Sequence, residues 1–166
     1  MKNVLSSVTL RKKLFLAVRD VPYQIGNSSN DASCVAKTKL LGELLCRIGL
    51  DCQVWRAVVY WDQTGIPPSL LSLTSKTNVS HLFLKVYIPE TQKWVTVDPT
   101  WDKRFAGKLP INAWDGLSNT TLAYPSNQLR FVGSVSGFSF RNFNPSDAFT
   151  KALNKWYQSL AERKSC

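Results

Sequence analysis

Histidine, paired cysteines and long apolar runs are all scarce in this chain of 166 residues. His81 is the one histidine, and the four cysteines, Cys34, Cys46, Cys52 and Cys166, include no C-x-x-C pair. Structural zinc sites are built from clustered Cys and His, so a structural metal is not expected, and no cofactor is implied. An even number of cysteines does not by itself imply disulfides in an intracellular chain of this size. No stretch approaches the ~20 apolar residues that a membrane helix requires. Internal repeats and low-complexity runs are also lacking. The first twenty residues carry Lys2, Arg11, Lys12, Lys13 and Arg19, and the apolar piece between the charges is too short and polar for a signal peptide's central region. The segment therefore reads as ordinary fold, and a cytoplasmic location is expected. The sequons at Asn27, Asn78 and Asn119 then read as chance.

What the chain does have is enough to build one domain, expected to span residues 1–166. Hydrophobic residues make up 44%, with six Trp, eight Phe and five Tyr to fill a core. A chain of this length buries roughly two thirds of its unfolded surface and needs no covalent staple. The net charge of +10 fits either a basic surface or an anionic partner such as nucleic acid, acidic membrane or cell-wall polymer. The basic residues are scattered: Arg11 to Lys13, Lys37 and Lys39, Lys103 and Arg104, Lys151 and Lys155, Arg163 and Lys164. No nucleic-acid-binding motif accompanies them.

Residues Thr9 to Val18 read as a helix that Pro22 ends. A stronger helix is expected from Ala32 to Ile48, with Asp31 as N-cap and Gly49 as stop. Thr38, Leu41, Leu45 and Ile48 recur at steps of three and four, which is one helix face. Cys34 lies one turn before Thr38, in the first turn. Cys52 to Trp61, His81 to Ile88 and Trp94 to Asp98 read as strands. The short connector Pro89 to Lys93 makes the last two an antiparallel hairpin. Leu129 to Phe140 reads as a second hairpin, and a helix from about 146 to 163 carries the stripe Phe149, Ala152, Leu153, Trp156 and Leu160. The loop Asp62 to Ser80 is long enough to suggest a role at a cleft. Trp55, Trp61, Trp94 and Trp101 are expected in the core or lining that cleft.

A cysteine nucleophile needs its thiolate form, a base that later returns the proton, and a group that holds the base. Helix N-termini favour the thiolate through their partial positive charge. Cys34 at a helix start, His81 at a strand start and Asp98 at the neighbouring strand's end offer one candidate for each role. Taken singly, each has a bland reading: a small buried hydrophobe, a core histidine, a turn residue before Pro99. For His81 and Asp98 to meet, the hairpin register must place them on one face. Cys46 and Cys52 read as structural.

The run from Asp31 to Leu50, Asp-Ala-Ser-Cys-Val-Ala-Lys-Thr-Lys-Leu-Leu-Gly-Glu-Leu-Leu-Cys-Arg-Ile-Gly-Leu, resembles the nucleophile helix of the transglutaminase-like superfamily. His81 to Ile88 resembles its histidine strand, and Trp94-Val-Thr-Val-Asp98-Pro-Thr its aspartate strand. The resemblance covers about Leu10 to Asp102, and Trp114-Asp115-Gly116 extends the comparison. Ala32 stands where many members have Gly, and Leu82-Phe83 where an Ala-aromatic pair is common. The resemblance implies an α+β, papain-like fold with the nucleophile helix packed on an antiparallel sheet. It also implies a cysteine hydrolase or acyl transferase acting on peptide or protein, with Cys34, His81 and Asp98 as its triad. The Cys34 backbone N–H and the Gln24 side chain are the candidate oxyanion donors. The alternative is a non-catalytic binding module on the same fold, taking an anionic partner through its basic surface.

Overall fold

The computed structural model describes residues 4–27, 29–141 and 143–163. Four helices and a four-stranded antiparallel sheet make an α+β fold. Helices α1 (Val4–Arg19) and α2 (Cys34–Arg47) come first, followed by β1 (Cys52–Tyr60) and the short α3 (Pro68–Leu71). Strands β2 (Asn78–Ile88), β3 (Lys93–Val97) and β4 (Leu129–Ser134) come next, and α4 (Ala148–Glu162) ends the described chain. The sheet order is β3-β2-β1-β4. Among the described residues no helix is long and apolar enough to cross a membrane.

The sheet feeds two apolar clusters. Near the α2 side, Val54, Leu82, Leu84 and Val86 pack with Phe15 and Val18 of α1 and with Leu41 and Leu45 of α2. Trp114 joins them, its ring 5.9 Å from that of Phe15. The second cluster gathers Ile25, Trp61, Trp101 and Phe105 with Leu153 and Tyr157 of α4. On β1 the buried residues change parity, from Cys52 and Val54 to Ala57 and Val59. Cys52 and Val54 belong to the first cluster, and the change of parity means that β1 also buries residues on its other face, since successive side chains alternate sides.

The α2 boundaries differ from the expected ones. Ser33 is the N-cap, its hydroxyl accepting from the Val35 N–H at 3.3 Å. Asp31 instead holds the cap residue: its carboxylate accepts from the Ser33 N–H and hydroxyl and from the Gly26 N–H. Cys34 is therefore the first residue of the helix. At the far end Gly49, at φ 89°, allows the Leu50 N–H to reach Leu45 O and its own N–H to reach Cys46 O. This is the Schellman arrangement that reverses a chain after a helix.

The second expected hairpin does not form. Residues 129–134 make one strand, paired with β1, while Val135 and Phe138 turn inward to the α2 cluster. The chain beyond Ser134 is drawn into the core rather than back along β4. The long connector between β1 and β2 also has structure of its own. It carries a 3-10 turn at Trp61–Gln63 and α3, whose Leu70 and Leu71 pack on the second cluster. Of the four tryptophans expected in the core or cleft, Trp61 and Trp101 are buried, Trp55 is half-buried and Trp94 is 43% exposed. Trp94 alternates with buried Val95 on β3 and so faces outward, beside Tyr87.

Candidate active site

Strands β2 and β3 pair with Leu84 opposite Val97 and Val86 opposite Val95. Continuing that register sets Asp98 opposite Phe83, so His81 and Asp98 share a face and meet on a diagonal, about 7–8 Å between backbones. Their side chains close the gap: His81 Nε2–H donates to Asp98 Oδ2 at 2.7 Å. Both are buried, at 3% and 0% exposure.

Asp98 is held from several directions. Its Oδ2 also accepts from the Ala123 N–H at 2.7 Å. Its Oδ1 accepts from the Thr100 hydroxyl at 2.6 Å and the Thr100 N–H at 3.1 Å. Asn112 donates to the Asp98 backbone carbonyl. Burial works against a charged carboxylate here, but the His81 charge and these donors outweigh it, and the Asp98 pKa falls below its ordinary value. The same balance acts on His81. Burial alone would depress its pKa; the Asp98 charge and hydrogen bond, with the Cys34 thiol beside the ring, raise it from 6.5 to about 10. The imidazolium is the favoured form at neutral pH.

Cys34, 7% exposed, lies at the first position of α2. Its N–H is among the first four of the helix, which have no intrahelical partner. Cys34 and His81 line one small cavity of about 30 Å³. Tyr23, Tyr124, Tyr157 and Phe143 also line it, as do Trp61, Val79 and Ser80. Burial raises the pKa of all three phenols, so they stay neutral, and Tyr124 and Tyr157 share a hydrogen bond through their hydroxyls. His81 meets the Tyr124 ring edge-on at 6.0 Å.

Of the expected site residues, Cys34, His81 and Asp98 come together and Gln24 does not join them. Gln24 is exposed, and its amide donates to the Asn30 carbonyl at 2.6 Å, away from the cavity lining. Of the connector Asp62 to Ser80, only Val79 and Ser80 reach the cavity. The middle is occupied by α3 and its packing against the second cluster.

Several residues that hold the site were not singled out from the sequence. Thr100 was visible as the end of the Asp-Pro-Thr run, since a Thr two residues after an Asp can bond back to it. Ala123 and Tyr124 had no local signal, because they arrive from a loop more than twenty residues downstream. Lys37 was counted only among the scattered basic residues; it is buried, donating to Arg19 O at 2.7 Å and Thr100 O at 3.0 Å. Burial lowers its pKa to about 8. It ties α2, which begins at Cys34, to the segment that carries Asp98.

Among the described residues no group of three His, Cys, Asp or Glu side chains is placed to hold a metal ion. No family model matches the chain, and no curated protein or solved structure matches it.

Proposed function

We propose that the chain is a cysteine-dependent hydrolase or acyl transferase on a papain-like fold of the transglutaminase-like kind, acting on an amide or peptide carbonyl. The observation that carries this reading is the line of three groups: a cysteine at a helix start, a buried histidine beside it, and an aspartate bonded to that histidine at 2.7 Å. The aspartate occupies Nε2, which leaves Nδ1 as the ring nitrogen free to exchange a proton with the thiol. Attack of the Cys34 thiolate on the carbonyl gives a tetrahedral oxyanion, for which the Cys34 N–H at the helix start is the candidate donor. The His81 imidazolium gives its proton to the leaving amine, and a Cys34 thioester remains. Water completes hydrolysis; an amine completes acyl transfer. Hydrolysis is favoured, because water is the default acceptor.

The test is to trap the thioester. Incubation with a peptide-ester library and intact mass measurement should show an acyl adduct that maps to Cys34 and is lost in Cys34→Ala. One observation favours the second reading, a non-catalytic binding module: the cavity beside Cys34 has room for little more than a water molecule. That reading is adopted if no library member leaves an adduct while a peptide or polyanion still binds.

A further inference from the structure

Two of the three cysteines that the proposed chemistry does not use, Cys46 and Cys52, are brought side by side by the turn after α2. Cys46 is in the last turn of that helix and Cys52 is the first residue of β1. The Schellman turn folds Leu50 back onto Leu45 and Gly49 onto Cys46, so the strand leaves beside the helix end it came from. Both cysteines line one depression, with Gly49, Leu50 and Asp51 between them. Their environments differ. Cys46 is exposed and Cys52 is buried, its thiol directed at Leu50 O at 3.9 Å. Burial pushes the Cys52 pKa up, and contact with the Cys46 thiol adds to the rise.

We infer that Cys46 and Cys52 are a thiol pair that a low-molecular-weight disulfide, such as oxidised glutathione, converts to an intramolecular disulfide. The exposed Cys46 thiolate attacks one sulfur of the small disulfide and expels a small thiolate, leaving a mixed disulfide on Cys46. The Cys52 thiol then loses its proton and attacks the Cys46 sulfur, expelling the second small thiolate. The two protein protons end on the two released thiols, so one disulfide is consumed and one formed. Burial of Cys52 makes it the resolving partner rather than the first attacker. The link fastens the C-terminal end of the helix whose N-terminal residue is Cys34.

Trypsin reads the outcome, because Arg47 lies between the two cysteines. The folded full chain is treated with oxidised glutathione, unreacted thiols are alkylated, and the chain is digested without reduction. The expected result is one species joining Leu40–Arg47 to Ile48–Arg56, separated by reduction, with the intact protein lighter by two hydrogen atoms. The linked fraction should be several-fold higher from folded protein than from protein oxidised in urea, and Cys46→Ser should abolish it. The inference is overturned if Cys46 stops at the glutathione adduct, if it links to Cys34 or Cys166 instead, or if folded and urea-treated samples link equally. Equal linking would mean that short chain separation, not the turn, brings the thiols together.

Discussion

His81 and Asp98 sit on one face of a hairpin, two residues out of direct opposition, and are joined by a 2.7 Å hydrogen bond. Because the Asp98 charge raises the His81 pKa, removing that charge should lower it. In Asp98→Asn the alkaline limb of the pH–rate profile for kcat/KM is expected to move toward lower pH, with a rate loss on the order of a hundredfold at pH 8. The check is the profile of both proteins on the same ester, with circular dichroism to show that the variant folds. An alkaline limb that stays in place would remove Asp98 from the account.

Thr100 acts on the site through Asp98. Its hydroxyl donates at 2.6 Å to the oxygen that His81 does not use. Thr100→Val should cost ~2 kcal/mol of stability, as for a lost hydrogen bond to a charged group. It should also shift the His81 limb, because the carboxylate is then less well held. Thr100→Ser restores the hydroxyl and should recover both. Recovery of stability without the pH limb would make Thr100 a packing residue only.

Stability should carry the mark of the same ion pair. The folded His81 pKa of about 10 lies above its ordinary 6.5. Its contribution is therefore fully present below about pH 6.5 and is lost as pH rises through about 10. The lowered Asp98 pKa works the other way: its contribution is present above its ordinary value and is lost as pH falls through the folded value. Lys37 opposes His81 on the alkaline side, since its lowered pKa adds stability as pH rises above about 8. Melting temperature against pH should therefore fall more steeply above pH 8 in Lys37→Met, which lacks the opposing titration, than in the unsubstituted protein. Parallel curves would contradict the assignment.

Cap chemistry positions Cys34 at the start of α2. Ser33→Ala removes the hydroxyl that accepts from Val35 and donates to Asp31, and should destabilise the fold by ~1 kcal/mol. Ser33→Thr keeps the hydroxyl and should keep most of the stability. Thermal denaturation of the pair decides it; equal losses would mean that shape, not the cap bond, matters there.

Two of the candidate site's groups were legible as element ends, where spacing and turn chemistry are strongest: Cys34 opens α2 and Asp98 follows β3, whereas His81, expected at a strand start, lies three residues inside β2. Thr38, Leu41 and Leu45 gave the helix face, and the short connector after Ile88 gave the hairpin. The cap was misplaced from Ser33 to Asp31, because both are good cap residues and only the fold shows that Asp31 bonds the cap itself. Residues 135–140 were misread as a strand, since an apolar run beside glycines looks the same whether it pairs or turns into a core. The lining of the cavity by Tyr124, Phe143 and Tyr157 was not legible at all, because these residues reach it from distant parts of the chain. Gln24 was proposed for the oxyanion and is instead bound to Asn30. Cys166 lies outside the described residues.

The central claim is that Cys34 is an activated nucleophile paired with His81. The most direct measurement is the rate of iodoacetamide alkylation at pH 6, resolved by site in a peptide map. Cys46 is the internal reference, because among the described residues it is the exposed thiol. Activation predicts that Cys34 is alkylated well ahead of Cys46 despite its burial, and that His81→Ala brings its rate down to that of an ordinary thiol. Asp98→Asn should have a smaller effect, since the imidazole remains. If Cys34 reacts no faster than Cys46 in the folded protein, or if His81→Ala leaves its rate unchanged, the proposed triad is contradicted.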